Sequence, residues 1–165
     1  MNPYAALPIA PEALAALRSR DDADRPCLPY TDPEGDAPLR CCLRRSRAGE
    51  NIALVSYAPL RRWARGAGVD PGAYDEQGPV FIHAEDCGGP AEADGPPFAH
   101  PGALRAARRY DARGRILGGR VLSLGEEPAA EIEDALTEAF ADPRTALVHV
   151  RAVEFGCFLF EVRRP

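Results

Sequence analysis

The chain has 165 residues and a formal net charge of −5, with 20 basic side chains that are all arginine. That length fits one domain, 1–165, and the absence of lysine excludes Schiff-base, Walker-type and lysine general-base chemistry. The negative balance argues against wholesale nucleic-acid binding, which draws its affinity from phosphate neutralisation.

Residues 11–19 predict a short helix, because Pro11 suits a first helical position and Leu14 with Leu17 form an apolar stripe. Asp21, Asp22 and Asp24 read as its terminus. A calcium loop would need a glycine and a twelfth-position glutamate that are missing. Pro26, Pro29, Pro33, Gly35 and Pro38 make 25–38 a loop. Asn51 to Ala58 is nearly continuous in apolar residues, as in a central strand, and Pro59 stops it. Residues 59–79 hold seven glycines and prolines together with Trp63, and read as a long connection. Gly66-Ala67-Gly68 lacks the third glycine and the helix start of a dinucleotide loop.

Val80 to Ala84 predicts a second strand, followed by a punctuated loop from Gly88 to Gly102. Asp111-Ala112-Arg113-Gly114 offers turn residues for a hairpin, and Arg115 to Leu124 continues as a strand with a bulge at Gly118-Gly119. Glu126 to Asp142 is the clearest helix: Pro128 lies near its start, and Ile132, Leu136 and Phe140 recur every four residues. Ala146–Val153 and Cys157–Val162 are two more strands around Glu154-Phe155-Gly156. The sum is an α+β fold: a mostly antiparallel sheet of about six strands with two helices, loop-rich, in a single domain.

Met1 to Pro11 has no basic residue and is broken by three prolines, so it does not read as a signal peptide. No stretch reaches the roughly 18 apolar residues of a membrane helix, so no membrane partner is expected. Five cysteines without an export signal predict reduced thiols and a cytoplasmic protein. Cys41 and Cys42 are neighbours, and a bridge between neighbours is strained, so both read as thiols.

Charge is uneven. Arginines concentrate in 40–65 and 105–120, while 126–142 holds seven acids and no basic residue. The plain reading is a solvated surface with arginine strands facing an acidic helix. The alternative is a local anion site, with Arg40, Arg109 and Tyr110 as ligand-binding candidates, since the guanidinium fork suits carboxylate and phosphate.

His83-Ala84-Glu85-Asp86-Cys87 places an imidazole, two carboxylates and a thiol where a strand end meets a loop, a common setting for sites. Zinc would need two more ligands, drawn from Cys41, Cys42 and Cys157. No C-x-x-C or H-x-x-x-H spacing is present, so a structural histidine with a buried thiol is the simpler reading and no cofactor is expected. Cys42 lies among Arg40, Arg44, Arg45 and Arg47, and such charge favours the thiolate. His83 or His149 could act as its base. His83, Cys87 and Cys42 are therefore the catalytic candidates, with His83 and Cys87 also the candidates for a metal. Whether the protein is an enzyme stays open. Serine hydrolysis has little support, because Ser56 and Ser123 lie outside any G-x-S-x-G setting.

Pro38-Leu39-Arg40-Cys41-Cys42-Leu43, then Gly49-Glu50 leading into Leu54-Val55-Ser56-Tyr57-Ala58-Pro59, resembles one stretch of a bacterial family known as domain of unknown function 1203. Gly78-Pro79-Val80-Phe81-Ile82-His83-Ala84 with Cys87 resembles its most distinctive block. Arg109-Tyr110-Asp111 and Gly156-Cys157-Phe158-Leu159-Phe160 with Arg163 resemble its last two. The doubled cysteine is a variation, and only Cys42, next to Leu43, fits the pattern. The resemblance implies a stand-alone bacterial domain and brings no activity, substrate or cofactor. The first functional reading is a small-molecule site for an anionic ligand, or a thiol/histidine site, near His83 and Cys87. The alternatives are a non-catalytic homo-oligomeric interaction module and a metal-binding protein.

Overall fold

The apolar runs of the chain become strands that pair with their sequence neighbours. Asn51–Tyr57 (β2) and Gly78–His83 (β3) are antiparallel, with Ile52 opposite His83 and Leu54 opposite Phe81. The two-residue strand Tyr30–Thr31 (β1) adds to the other side of β2, completing a three-stranded sheet. Leu104–Tyr110 (β4), Ile116–Ser123 (β5), Leu147–Ala152 (β6) and Phe158–Arg163 (β7) form a second antiparallel sheet in the order β5-β4-β6-β7. The computed structural model describes residues 3–92 and 95–165.

Among the described residues three α-helices accompany the sheets: Pro11–Leu17 (α1), Pro59–Ala67 (α2) and Pro128–Ala141 (α3). The α+β antiparallel class holds. The expected count of six strands and two helices does not, because the sheet is two sheets, a third helix is present and β1 interrupts the 25–38 loop. The connection expected over 59–79 contains α2 and a short 3-10 turn, Gly72–Tyr74. Pro59 stops β2 by opening a helix, where its fixed φ is preorganised and its missing N–H costs nothing. Gly68 closes that helix with φ +69, the left-handed conformation glycine adopts freely. Leu60 and Ala64 bury one face, while Arg61 and Arg62 pair with Asp75 and Asp22 on the other.

Asp21 and Asp22 do more than end α1. Their carboxylates accept the backbone N–H groups of Ser56 and Ala58, which pins the turn after α1 to the end of β2.

The largest core lies between α3 and the four-stranded sheet, where Ile132, Leu136 and Phe140 meet Val148, Val150 and Phe160. Each such side chain stabilises the fold by about 1.5–3 kcal/mol on burial. Glu131 reaches back to the Gly125 N–H at 2.9 Å and steadies the first turn of α3. Arg120 pairs with Glu138 and Arg109 with Asp142, so the arginine strands do face the acidic helix. A second core packs Leu14 and Leu17 of α1 against Ile52, Val55, Val80 and Ile82. In the β4–β5 pairing the register shifts past Arg109, leaving Leu117 as the extra residue, one position before the expected bulge. Among the described residues no helix is long and apolar enough to cross a membrane.

Candidate functional site

Residues 38–45 form a tight hairpin closed by a Pro38–Arg45 bridge and a Leu43 N–H to Leu39 carbonyl bond of 2.9 Å. Leu43 turns it with φ +57, which is uncommon without glycine. This hairpin lies along the free edge of β3. Leu39 bridges Phe81, and the Arg40 N–H donates to the Phe81 carbonyl at 2.9 Å. One residue pair further, a sulfur replaces the expected carbonyl: the His83 N–H donates to Cys41 Sγ at 3.2 Å.

That docking assembles four groups from two distant stretches. The Cys41, Cys42 and Cys87 sulfurs and a ring nitrogen of His83 all lie within 4.8 Å of one another. Cys41 Sγ is 3.4 Å and Cys42 Sγ 3.7 Å from His83 Nδ1, and the two sulfurs are 3.9 Å apart. Cys41, Cys42 and His83 are buried and Cys87 is exposed. The three cysteines are free thiols. Arg18, at the end of α1, donates to the carbonyls of His83 and Glu85 at 3.1 and 2.9 Å and so fixes the backbone leading to Cys87. Beyond it the Gly88 N–H donates to the Asp86 carboxylate at 2.9 Å.

The far side of the imidazole is also organised. His83 Nε2 is 3.4 Å from Glu50 Oε1. Glu50 is clamped by Arg44 in a two-pronged pair of 3.0 and 2.6 Å and by the Arg47 N–H at 2.8 Å. The Arg44 fork, with the Arg47 amide, holds the Glu50 carboxyl down at about 2. The Cys42 thiol is pulled down to about 6, first by the hydrogen bond from the Cys41 thiol and then by the Arg44 N–H and the His83 and Arg44 charges, against the opposing effect of burial. Cys41 moves the other way, pushed up by its neighbouring sulfur and by burial. Four donors of this kind, three soft sulfurs and an imidazole, can hold a metal ion.

The structure brings His83, Cys42 and Cys87 together. It joins Cys41 to them although Cys41 lies outside the pattern that carries the resemblance. Cys157 sits elsewhere, lining a groove with Arg40, and its thiol faces the Phe155 carbonyl. Arg40 is buried and donates to the Phe158 and Pro38 carbonyls. Arg109 binds Asp142 at 3.2 Å. Tyr110 is fully buried beside Leu60 and Leu147, its hydroxyl 3.4 Å from Arg108 Nη1. His149 is remote from Cys42 in its partners: Nε2 lies 2.9 Å from Glu161. Glu50 and Arg18 were not legible as site residues, since nothing in their spacing relates them to His83.

A histidine backed by a clamped carboxylate and grouped with three thiols thus sits on an antiparallel α+β scaffold. The chain belongs to the family described as protein of unknown function (DUF1203), whose family model matches residues 36–164. Every member of the cluster lies within that match. Neither a curated protein nor a solved structure matches the chain.

Proposed function

We propose that this protein binds one zinc-class metal ion through the Cys41, Cys42 and Cys87 thiolates and His83 Nδ1. The observation that carries the reading is the set of donor separations. Zn–S bonds near 2.3 Å and Zn–N bonds near 2.0–2.1 Å place tetrahedral donors about 3.8 Å apart for two sulfurs and about 3.6 Å for sulfur and nitrogen. The separations here are 3.9 Å between Cys41 and Cys42 Sγ, with 3.4 and 3.7 Å from those sulfurs to His83 Nδ1.

Surroundings support it. Coordination through Nδ1 leaves the proton on Nε2, where Glu50 can accept it, the carboxylate–histidine arrangement that orients metal-ligating imidazoles. The Arg44 N–H donates to Cys42, which favours its thiolate, and the His83 N–H donates to Cys41 against the upward push of the neighbouring sulfur and of burial. Four protein ligands leave no open position, so the ion's task is to tie the 38–45 hairpin to the end of β3 and to the loop that follows.

The low-lying Cys42 thiol favours a second reading, a metal-free reactive thiolate with His83 beside it. Elemental analysis of untagged protein separates the two. About one equivalent of zinc is expected, lost in Cys87→Ser and in His83→Ala, and free metal at about one hundred times Kd should add about 2.7 kcal/mol of stability. Cobalt in its place should give the intense visible bands of a tetrahedral thiolate site. Metal below about a tenth of an equivalent after reduced reconstitution overturns the proposal. Rapid alkylation of Cys42 alone near pH 6 would then establish the thiolate reading.

A further inference from the structure

Arg40 is charged, buried and without a counter-ion. Only 2% of its surface is accessible. Its Nε donates to the Phe158 carbonyl at 2.8 Å and its Nη1 to the Pro38 carbonyl, both neutral acceptors. Among the described residues Nη2 has no acceptor and no carboxylate pairs with the guanidinium. Burial lowers its pKa to about 10, so the group remains a cation at neutral pH. A buried charge left uncompensated is costly, and arginine relieves the cost by binding an anion in its planar fork and not by losing its proton.

Arg40 lines a groove of about 910 Å³ bounded by both sheets. Small-molecule sites fall in the range of about 300–1,000 Å³. Leu54, Phe81, Phe98 and Phe155 give the groove an apolar and largely aromatic wall. Leu54 is 51% exposed and Phe155 85% exposed, so the wall offers apolar surface to a ligand. A second buried guanidinium, Arg105, also lines the groove, and its Nε has no acceptor among the described residues.

The acids around the groove are mostly committed. Asp32 binds Ser46 and two backbone N–H groups, Asp36 pairs with Arg45, and Glu154 with Arg105. Glu34 is an exposed carboxylate at the rim. Their summed negative charge disfavours a dianion, while the unpaired guanidinium demands one negative charge at depth.

We propose that this groove is a binding site for an organic monocarboxylate with an aromatic-sized apolar body, its carboxylate received by Arg40. The body lies against Phe81 and Leu54, which alternation places on one face of the three-stranded sheet. The proposal rests on Arg40 and the groove walls, and stands apart from the metal reading.

Isothermal titration of the full chain with phenylacetate tests it, with phenylacetamide as the uncharged analogue and inorganic phosphate as the competing anion. Phenylacetate should bind saturably and raise the unfolding temperature. Phenylacetamide should bind at least about tenfold more weakly. Arg40→Met should abolish binding. Leu54→Glu, at an exposed wall position that leaves the Arg40 bonds intact, should lose at least about tenfold in affinity while unfolding at the wild-type temperature. Equal binding of acid and amide overturns the proposal, as does wild-type affinity in Leu54→Glu or the absence of saturable phenylacetate binding. Displacement of phenylacetate by phosphate at equal concentration would overturn the monocarboxylate class in favour of phosphate.

Discussion

His83 and His149 are both buried imidazoles on strands, 8% and 1% accessible, yet they are enclosed in opposite ways. His149 is walled by the rings of Tyr110 and Phe158, 4.9 and 5.0 Å away, and its Nε2 meets Glu161 at 2.9 Å. Glu161 already has its positive partner in Arg163 at 2.6 Å, so the imidazole has no need to carry charge, and burial lowers its pKa. His83 has the same kind of carboxylate behind Nε2, but its Nδ1 looks at sulfur. Burial and a carboxylate therefore do not distinguish a structural histidine from a ligand. The chemistry facing the second nitrogen does.

The contrast can be broken most forcefully at His149. Glu161→Ala leaves a buried imidazole without its acceptor and the exposed Arg163 without its partner, and should cost about 1–3 kcal/mol in urea unfolding, as leaving a buried polar group unsatisfied does. A loss below about 1 kcal/mol would show the pair to be incidental. At His83 the equivalent change reads out differently. Glu50→Gln should weaken metal affinity about 10–100-fold in competition with a chromophoric chelator. Unchanged affinity would remove Glu50 from the site.

Acid sharpens the comparison further. His149 has a folded-state pKa below its ordinary value, so the unfolded chain takes up the proton first. The stability it confers is complete above about pH 6.5 and is lost as pH falls below it, with a slope of up to about 1.4 kcal/mol per pH unit. Glu161, also lowered, adds a second loss below about pH 4.3. Unfolding midpoints measured from pH 7.5 to pH 4 check the sign; a midpoint that rises on acidification to about pH 5.5 refutes it. The smallest effect belongs to Cys157→Ser, outside the cluster: metal content should not change and stability should move by no more than about 0.5 kcal/mol.

Much of this fold could be read locally. The β4–β5 and β6–β7 hairpins and α3 follow from turn residues and apolar period within single windows. The helix α2 was misread because Pro59 and Gly68 mark both the ends of a helix and the body of a loop, and only the burial of Leu60 and Ala64 decides between them. Two sheets could not be told from one, since strand propensity carries no information about which hairpins share an edge. His83 and Cys87 stood out because they fall within one five-residue segment. Their junction with Cys41 and Cys42 depends on the 38–45 hairpin docking on β3 across more than forty residues, a contact that spacing does not encode. The Glu50 carboxylate is set behind His83 by the pairing of β2 with β3 and held there by Arg44 of the hairpin.

The displaced register at Leu117 reaches beyond local geometry. β7 has its outer edge engaged by the Leu7–Glu161 bridge, whereas β5 is the open edge of the four-stranded sheet. It displays Ile116 and Val121, 38% and 68% exposed. A straight edge would offer another copy of the chain a ladder of unpaired amides, the starting point of aggregation. The kink at Leu117 breaks the ladder, and Arg120 puts charge beside Val121. Gly118 holds the kink at φ +151, where a side chain would press on the Arg109 guanidinium at 3.1 Å. What blunts the β5 edge is thus one extra residue and the glycine that follows it.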